Sequence, residues 1–384
     1  MEHGVQLVVR CKVLVLLVLL SLSVTGCGPT RTLYSFQMSE NGRVPQIEDV
    51  RVWADDQEAI FKALRTSPIT KRSKSFNVLA LSGGGSEGAF GAGFLTGWSK
   101  NGGRPQFDIV TGTSVGALIA PFAFLGKDYD PYLERMFTKE QTNKLIRIAG
   151  LDALFGSAVF SNRPLAKMVD RYIDDDLLAQ IATEHNKGRL LLVLTTNIDT
   201  QRTAIWNMGA IAASDHKDKK ALFHQVLLAS VSVPGLLPPQ LIEVQSGNTK
   251  FKEMHVDGGV SGNAMLIPEA MLASSVSPKL RTKPRLYLLM NGKIDREFRL
   301  VAPSKIEILE RSFGTAIKIS TRNTIRSSAQ FARANGWQIL VAALDANYPV
   351  PKQEGGLKQE VLRPLFAEGV QNGQGGRGWK ELDF

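Results

Sequence analysis

Short apolar runs alternate with longer stretches of helical period along most of this chain. Asn77–Leu81 is apolar on both faces and ends at glycines, the pattern of a strand buried on both sides of a parallel sheet. Glu87–Lys100, small and apolar, predicts a closely packed helix stopped by Asn101-Gly102-Gly103. Phe107–Val110 reads as the next strand and Ser114–Leu125 as the next helix, interrupted by Pro121. Helices are predicted at Asp55–Leu64, Asp130–Phe137, Pro164–Ile173 and Lys219–Ser230, and strands at Arg189–Thr196, Thr203–Trp206, Met254–Val256, Arg285–Met290 and Trp337–Leu344. This alternation predicts an α/β fold with a mostly parallel central sheet and helices on both faces.

One long helix is predicted over 304–336. Ser304 stands three residues before Glu307, the spacing of a capping box, and Asn335-Gly336 supplies a stop. Ile306, Leu309, Phe313, Ile317 and Phe331 share one side, and Arg311, Lys318, Arg322, Arg326 and Arg333 the other. Such a basic stripe is either a solvated face or a surface for anionic lipid headgroups. Beyond it, the glycine- and glutamine-rich stretch Gly369–Gly378 predicts a loose tail.

The ends and the charge add a location. Arg10 and Lys12 precede the apolar run Val13–Val24, which is about half of what a bilayer span needs, so an export signal fits better than a transmembrane helix. Val24-Thr25-Gly26-Cys27 resembles a bacterial lipoprotein cleavage box, with Val24 where leucine is usual. Cleavage would leave Cys27 as a lipid-bearing N-terminus, and several acyl chains on one residue hold a membrane stably. The glycine after Cys27 favours the outer membrane of a Gram-negative envelope, by resemblance to enterobacterial sorting. Cys11 is the only other cysteine and lies in the leader, so the mature chain has no internal disulfide to form. The net charge of +10 points to an anionic partner. With no zinc-type Cys/His spacing and no arginine-rich tail, a membrane is expected rather than nucleic acid.

The candidate chemistry sits at two glycine turns. Gly112-Thr113-Ser114-Val115-Gly116 matches the nucleophile elbow Gly-x-Ser-x-Gly, whose strand-to-helix turn is so sharp that side chains two residues from the serine would collide. Ser114 would then project at the positive end of a helix dipole. Gly83–Gly88 fits Gly-x-Gly-x-x-Gly, but the acid that a dinucleotide fold wants at the end of its second strand is missing. Asp108 begins its strand instead, and no Lys-Ser/Thr pair closes a phosphate loop. The surviving reading is an oxyanion hole built from Gly83, Gly84, Gly85 and Gly88. Four histidines, His185, His216, His224 and His255, follow the leader, and none comes late in the chain where a Ser–acid–His hydrolase places its base. A carboxylate at a strand end beside glycines is the other candidate base, as at Asp257-Gly258-Gly259; the same tripeptide also serves as an ordinary turn.

Ser82–Gly88, Gly112–Gly116 and Asp257–Gly259, in this order, resemble the patatin-like phospholipase family. Ala229–Pro234 with Pro238-Pro239 is similar to that family's intervening segment. The resemblance spans roughly 77–290. It implies a Ser114–Asp257 dyad, an oxyanion hole at Gly83–Gly85 and neighbouring amides, hydrolysis of acyl esters through an acyl-serine, and no cofactor or metal. The implied substrate is a membrane lipid or another acyl ester. The family usually carries a basic residue where this chain has Glu87, and a carboxylate there is expected to shift preference from phospholipids toward neutral esters. Two alternatives stay open. One is a Ser-His-Asp esterase using His255 or His224; the other is an inactive envelope lipoprotein that keeps the fold for binding. The expected organisation is a signal peptide at 1–26, a tether or N-terminal extension at 27–75, a catalytic domain at 76–290 and, at 291–384, a helical extension packed on the catalytic domain and ending in a loose tail.

Overall fold

The computed structural model describes residues 31–48, 50–66, 75–139, 147–148, 160–274, 280–349, 358–375 and 378–381. The leader, both cysteines and the basic cluster Lys71–Lys74 lie outside them. In chain order the elements are α1 (Phe36–Glu40), β1 (Arg51–Trp53), α2 (Gln57–Thr66), β2 (Asn77–Leu81), α3 (Gly88–Lys100), β3 (Ile109–Thr113) and α4 (Val115–Leu125). Next come α5 (Asp130–Thr138), β4 (Arg147–Ile148), β5 (Phe160–Ser161), α6 (Arg163–Tyr172), α7 (Asp175–Asn186), β6 (Leu190–Asn197), β7 (Arg202–Asn207), α8 (Met208–Ala213) and α9 (Lys219–Ser230). The last are β8 (Gln240–Ser246), β9 (Thr249–Asp257), α10 (Glu269–Leu272), β10 (Arg285–Leu289), α11 (Lys305–Asn335), β11 (Gln338–Ala342), α12 (Gln359–Gln374) and β12 (Lys380–Glu381).

Five parallel strands in the order β6-β3-β2-β10-β11 form the centre of the sheet, and β1, β7, β8, β9 and β12 pair antiparallel around it. Each central strand except β11 is fully or largely buried, which is why the sequence shows unbroken apolar runs there. One apolar cluster fills one face of the sheet and a second fills the other. The strand order reverses beside β2: β3 and β6 lie on one side, β10 and β11 on the other. Loops at the carboxyl ends of strands diverge at such a point and leave a crevice.

Three expectations change. Strand β3 runs three residues past Phe107–Val110, because Thr111 and Thr113 donate their buried hydroxyls to the carbonyls of Met265 (2.7 Å) and Gly262 (3.2 Å). The stretch expected to be a tether joins the sheet through β1. Strand β1 pairs with β7, Trp53 is buried, and the buried Glu253 on β9 accepts hydrogen bonds from Ser39 (2.8 Å) and the Arg51 guanidinium. The tail expected to be loose is largely helix α12, packed against α3.

The glycines explain that last error. A Cβ at Gly93 or Gly97 would strike the carbonyl of Phe366 or Val370, and one at Gly369 or Gly373 would strike that of Phe90 or Phe94. Two Gly-x-x-x-Gly pairs, one on each helix, therefore face each other at backbone contact. The composition that reads as flexibility is a requirement for close approach. The expected caps of α11 are present, with the Glu307 N–H on Ser304 Oγ and Gly336 left-handed at φ 64°.

Gly369→Leu is expected to lower unfolding free energy by at least about 2 kcal/mol in a denaturant titration, because the clash is with backbone. Gly375→Ala, whose added Cβ meets nothing closer than 3.4 Å, is expected to stay within about 0.5 kcal/mol. Equal effects would contradict the packing account.

Candidate active site

At the end of β3 the chain turns into α4 through Ser114, held at φ 54° and ψ −127°. This backbone is strained for a residue with a Cβ, and the flanking glycines make it reachable. A Cβ at Gly112 would lie 2.6 Å from the Gly116 carbonyl, and one at Gly116 would strike the carbonyls of Leu81 and Ser82. The expected collision two residues either side of the serine is thus present in the structure.

Asp257 reaches Ser114 through the sheet. Thr113, the last residue of β3, pairs with Leu194 of β6. From Thr195 onward β6 pairs instead with β9, and Thr195 faces Asp257. Strand β9 therefore takes up β6 where β3 leaves it, and its final residue arrives beside the elbow. Ser114 Oγ donates to Asp257 Oδ2 at 2.7 Å, and the Gly259 N–H donates to Oδ1 at 2.7 Å. A Cβ at Gly258 would lie 2.5 Å from the Leu194 carbonyl, so that glycine permits the strand to end there. Burial pushes the Asp257 carboxyl up to about 6, against the two hydrogen bonds that favour its charged form.

The segment Ala229–Pro234 holds both residues. Ser114 N–H donates to Ser230 Oγ (3.0 Å), whose hydroxyl donates to the Leu194 carbonyl (2.7 Å), and Asp257 N–H donates to the Ser232 carbonyl (2.9 Å).

The glycine loop divides its labour differently from the expectation. Gly83 N–H donates to the Asn263 carbonyl (3.0 Å), and Gly88 N–H is taken by the carbonyls of Gly85 and Ser86. Neither is free to meet an oxyanion. Gly88 instead admits Val115, whose methyls fill the place of a Cβ there. Among the described residues the N–H groups of Gly84 and Gly85 meet no protein acceptor, and Val115 opens α4 next to Ser114. Asn291, which nothing in the sequence singled out, clamps this loop from β10. Its backbone N–H donates to Ser82 Oγ (2.8 Å) and its side-chain amide to the Ser82 carbonyl (2.5 Å), while a Cβ at Gly84 would overlap its own carbonyl. The signal available was its place, two residues after a buried strand and directly before Gly292.

Glu87 does not stand as a free carboxylate before the serine. Its carboxylate fills the space over Gly292, near Glu297, Lys318 and Lys293, and burial pushes it up to about 7. Lys318 bonds the Glu297 carboxylate (2.5 Å) and the Asp295 carbonyl (2.9 Å), and Arg311 bonds the Glu297 carbonyl (2.5 Å). Thus the basic side of α11 is not a continuous outer stripe. Arg311, Lys318, Arg322 and Arg326 line the cavity of about 760 Å³ that holds Ser114 and Asp257, and only Arg333 stands away from it. On the other side of the helix, Leu309 is exposed, Phe313 and Ile317 line the cavity, and Ile325 and Ala332 are buried. Six Lys and Arg side chains line this cavity against Glu87, Glu297 and Glu310 besides Asp257. The Glu87 carboxyl expected to repel phosphate thus keeps its proton up to about pH 7 and shares the cavity with these cations.

The histidine alternatives fail on geometry. His255 is fully buried, bonded to Thr195 (2.9 Å) and Glu253 (3.3 Å), and His224 bonds the Ile173 carbonyl (2.8 Å). Neither lines the cavity with Ser114. Among the described residues no group of three His, Cys, Asp or Glu side chains is arranged to hold a metal ion.

The family model described as patatin-like phospholipase matches residues 79–271, half of the chain, and takes in the glycine loop, the elbow and Asp257. The chain belongs to the patatin-like phospholipase family. No curated protein matches it in sequence. Among solved structures it is similar to VipD from Legionella pneumophila at 12% identity and a TM-score of 0.35, over 81% of this chain and 68% of that one. It is also similar to the type III effector protein ExoU at 13% identity and a TM-score of 0.31, over 81% of this chain and 55% of that one. The patatin assignment rests on the family match together with the site just described. The cavity wall built by 291–335 lies beyond the matched region.

Because Asp257 binds its proton more tightly in the folded chain than in the unfolded one, stability falls as pH rises from about 3.8 to about 6 and then levels. The loss is on the order of 3 kcal/mol. Asp257→Asn removes it, so the stability of the variant minus that of the wild type is expected to grow by about that amount between pH 4 and pH 7. A pH-independent difference in denaturant titrations would contradict the shifted carboxyl.

Proposed function

We propose that the protein hydrolyses carboxylic esters of lipids through a Ser114–Asp257 dyad. The observation that carries this reading is the 2.7 Å hydrogen bond from the elbow serine to a buried carboxylate, with no histidine among the described residues that line the cavity. Ser114 Oγ attacks the ester carbonyl carbon as its proton passes to Asp257. The carbonyl oxygen becomes an oxyanion facing the N–H groups of Gly84, Gly85 and Val115, where each such donor contributes roughly 3 kcal/mol. Collapse breaks the bond to the alcohol, which takes the proton back from Asp257. Water then attacks the acyl-serine and gives its proton to Asp257, which passes it to Ser114 Oγ as the acyl bond breaks, releasing the fatty acid and free Ser114. A carboxyl held near 6 suits this alternation, since it is ionised at neutral pH yet basic enough to accept a proton.

The envelope location is part of the proposal and rests on sequence alone: an export-type leader, and Cys27 as the lipid-bearing residue of an outer-membrane lipoprotein. The cations lining the cavity support an acyl ester that carries an anionic group, and the family name points to phospholipids.

A fluorophosphonate probe is expected to label the wild type and leave Ser114→Ala unlabelled. The same preparations, given a long-chain phospholipid, should release fatty acid only with the wild type. Equal labelling of both would remove Ser114 as the nucleophile.

A further inference from the structure

Several of the most exposed large apolar side chains of the described chain fall in one short stretch beside the cavity mouth. Phe298 is 92% exposed, Leu300 82% and Leu309 72%, with Ile308 also exposed. The stretch leaves β10 through a segment in which Asn291–Ile294, Arg296 and Glu297 line the cavity, and enters the first turns of α11. Arg311 fastens it by holding the Glu297 carbonyl, so Phe298 begins at a fixed point of the rim. Single exposed apolar residues need no explanation, but a cluster of this kind marks an interaction surface.

We infer that Phe298, Leu300, Ile308 and Leu309 form a docking surface for an anionic lipid bilayer, setting the cavity mouth against the membrane. The inference rests on the lipid-hydrolase reading above for its purpose, and on three observations for its partner. First, Arg296 and Arg299 stand within two residues of Phe298, and Arg296 is exposed, so a headgroup phosphate would find a cation beside the ring. Second, the chain carries +10, which draws it to anionic lipid before any contact forms. Third, the patch adjoins the cavity that holds Ser114, since Glu297 and Glu310, the chain neighbours of Phe298 and Leu309, line it, so a bilayer docked on the patch lies close to the entrance. The surface differs from the expected basic stripe, whose Arg311 and Lys318 are engaged at the cavity.

The test compares the full chain with its Phe298→Asp/Leu300→Asp variant, both on a Cys27→Ser background so that no acyl anchor masks the difference. Vesicles of phosphatidylcholine containing phosphatidylglycerol are the probe in co-sedimentation, and a short-chain water-soluble ester is the activity control. The variant is expected to lose about tenfold or more in vesicle partitioning, given the apolar area removed from the bilayer, while hydrolysing the soluble ester at the wild-type rate. Unchanged partitioning would overturn the inference, as would a wild type that ignores these vesicles. A wild type that dimerises through the patch, with the variant monomeric and both equal on vesicles, would assign the surface to a second copy and also overturn it. Failure of the wild type on every ester would instead remove the hydrolase reading, whatever the vesicles show.

Discussion

The site depends on where β3 stops. Because that strand ends at Thr113, β6 has an edge to offer beyond Leu194, and β9 fills it from the opposite direction. Ser114 stands at the end of one strand and Asp257 at the end of the other, so the bond between them is fixed by backbone pairing rather than by long side chains. Ser230 and Ser232 reinforce the arrangement by tying the two backbones to one segment. A buried carboxylate with one serine and one amide for partners is costly when ionised, and the fold accepts that cost where the proposed mechanism puts its base.

Close backbone approach recurs at each level. Glycines let the elbow turn, let β9 end against β6, let the loop at 83–88 lie on Asn291, and let α12 lie on α3. The second half of the chain is therefore structural to the first. Strand β11 extends the parallel sheet, α12 covers α3, and the segment from Asn291 through α11 closes the cavity. The N-terminal stretch is integrated likewise, since Ser39 and Arg51 satisfy the buried Glu253 two residues before His255 on the strand that delivers Asp257.

The central strands and long helices were readable because burial on both faces leaves unbroken apolar runs, and the elbow because its glycines have a steric reason. What was not readable followed from pairing across distance. The hairpin partner β8 carries mixed polarity; its only local sign was the Gly247-Asn248 turn, with Gly247 at φ 56°. Gly83 and Gly88 looked like oxyanion donors by composition, but whether an N–H is free depends on Asn263 and on the turn itself. The basic residues of α11 are legible as one side of a helix, yet their direction depends on the loop at 295–297, whose Asp295 and Glu297 lie 23 and 21 residues before Lys318. Gly369 and Gly373 read as flexibility because their partners lie near position 90.

The central claim is that Asp257, and no histidine, serves as the base for Ser114. Its most direct test is kcat/KM on a soluble ester for Asp257→Asn, Ser114→Ala and their double variant, with His255→Gln alongside as the contrast. The expected result is that both single variants and the double fall to one common floor, at least about a thousandfold below wild type, because residues acting as a unit are not additive. His255→Gln is expected to keep substantial activity once its stability is taken into account. An Asp257→Asn enzyme within tenfold of wild type, or a His255→Gln enzyme at the Ser114→Ala floor while still folded, would contradict the account.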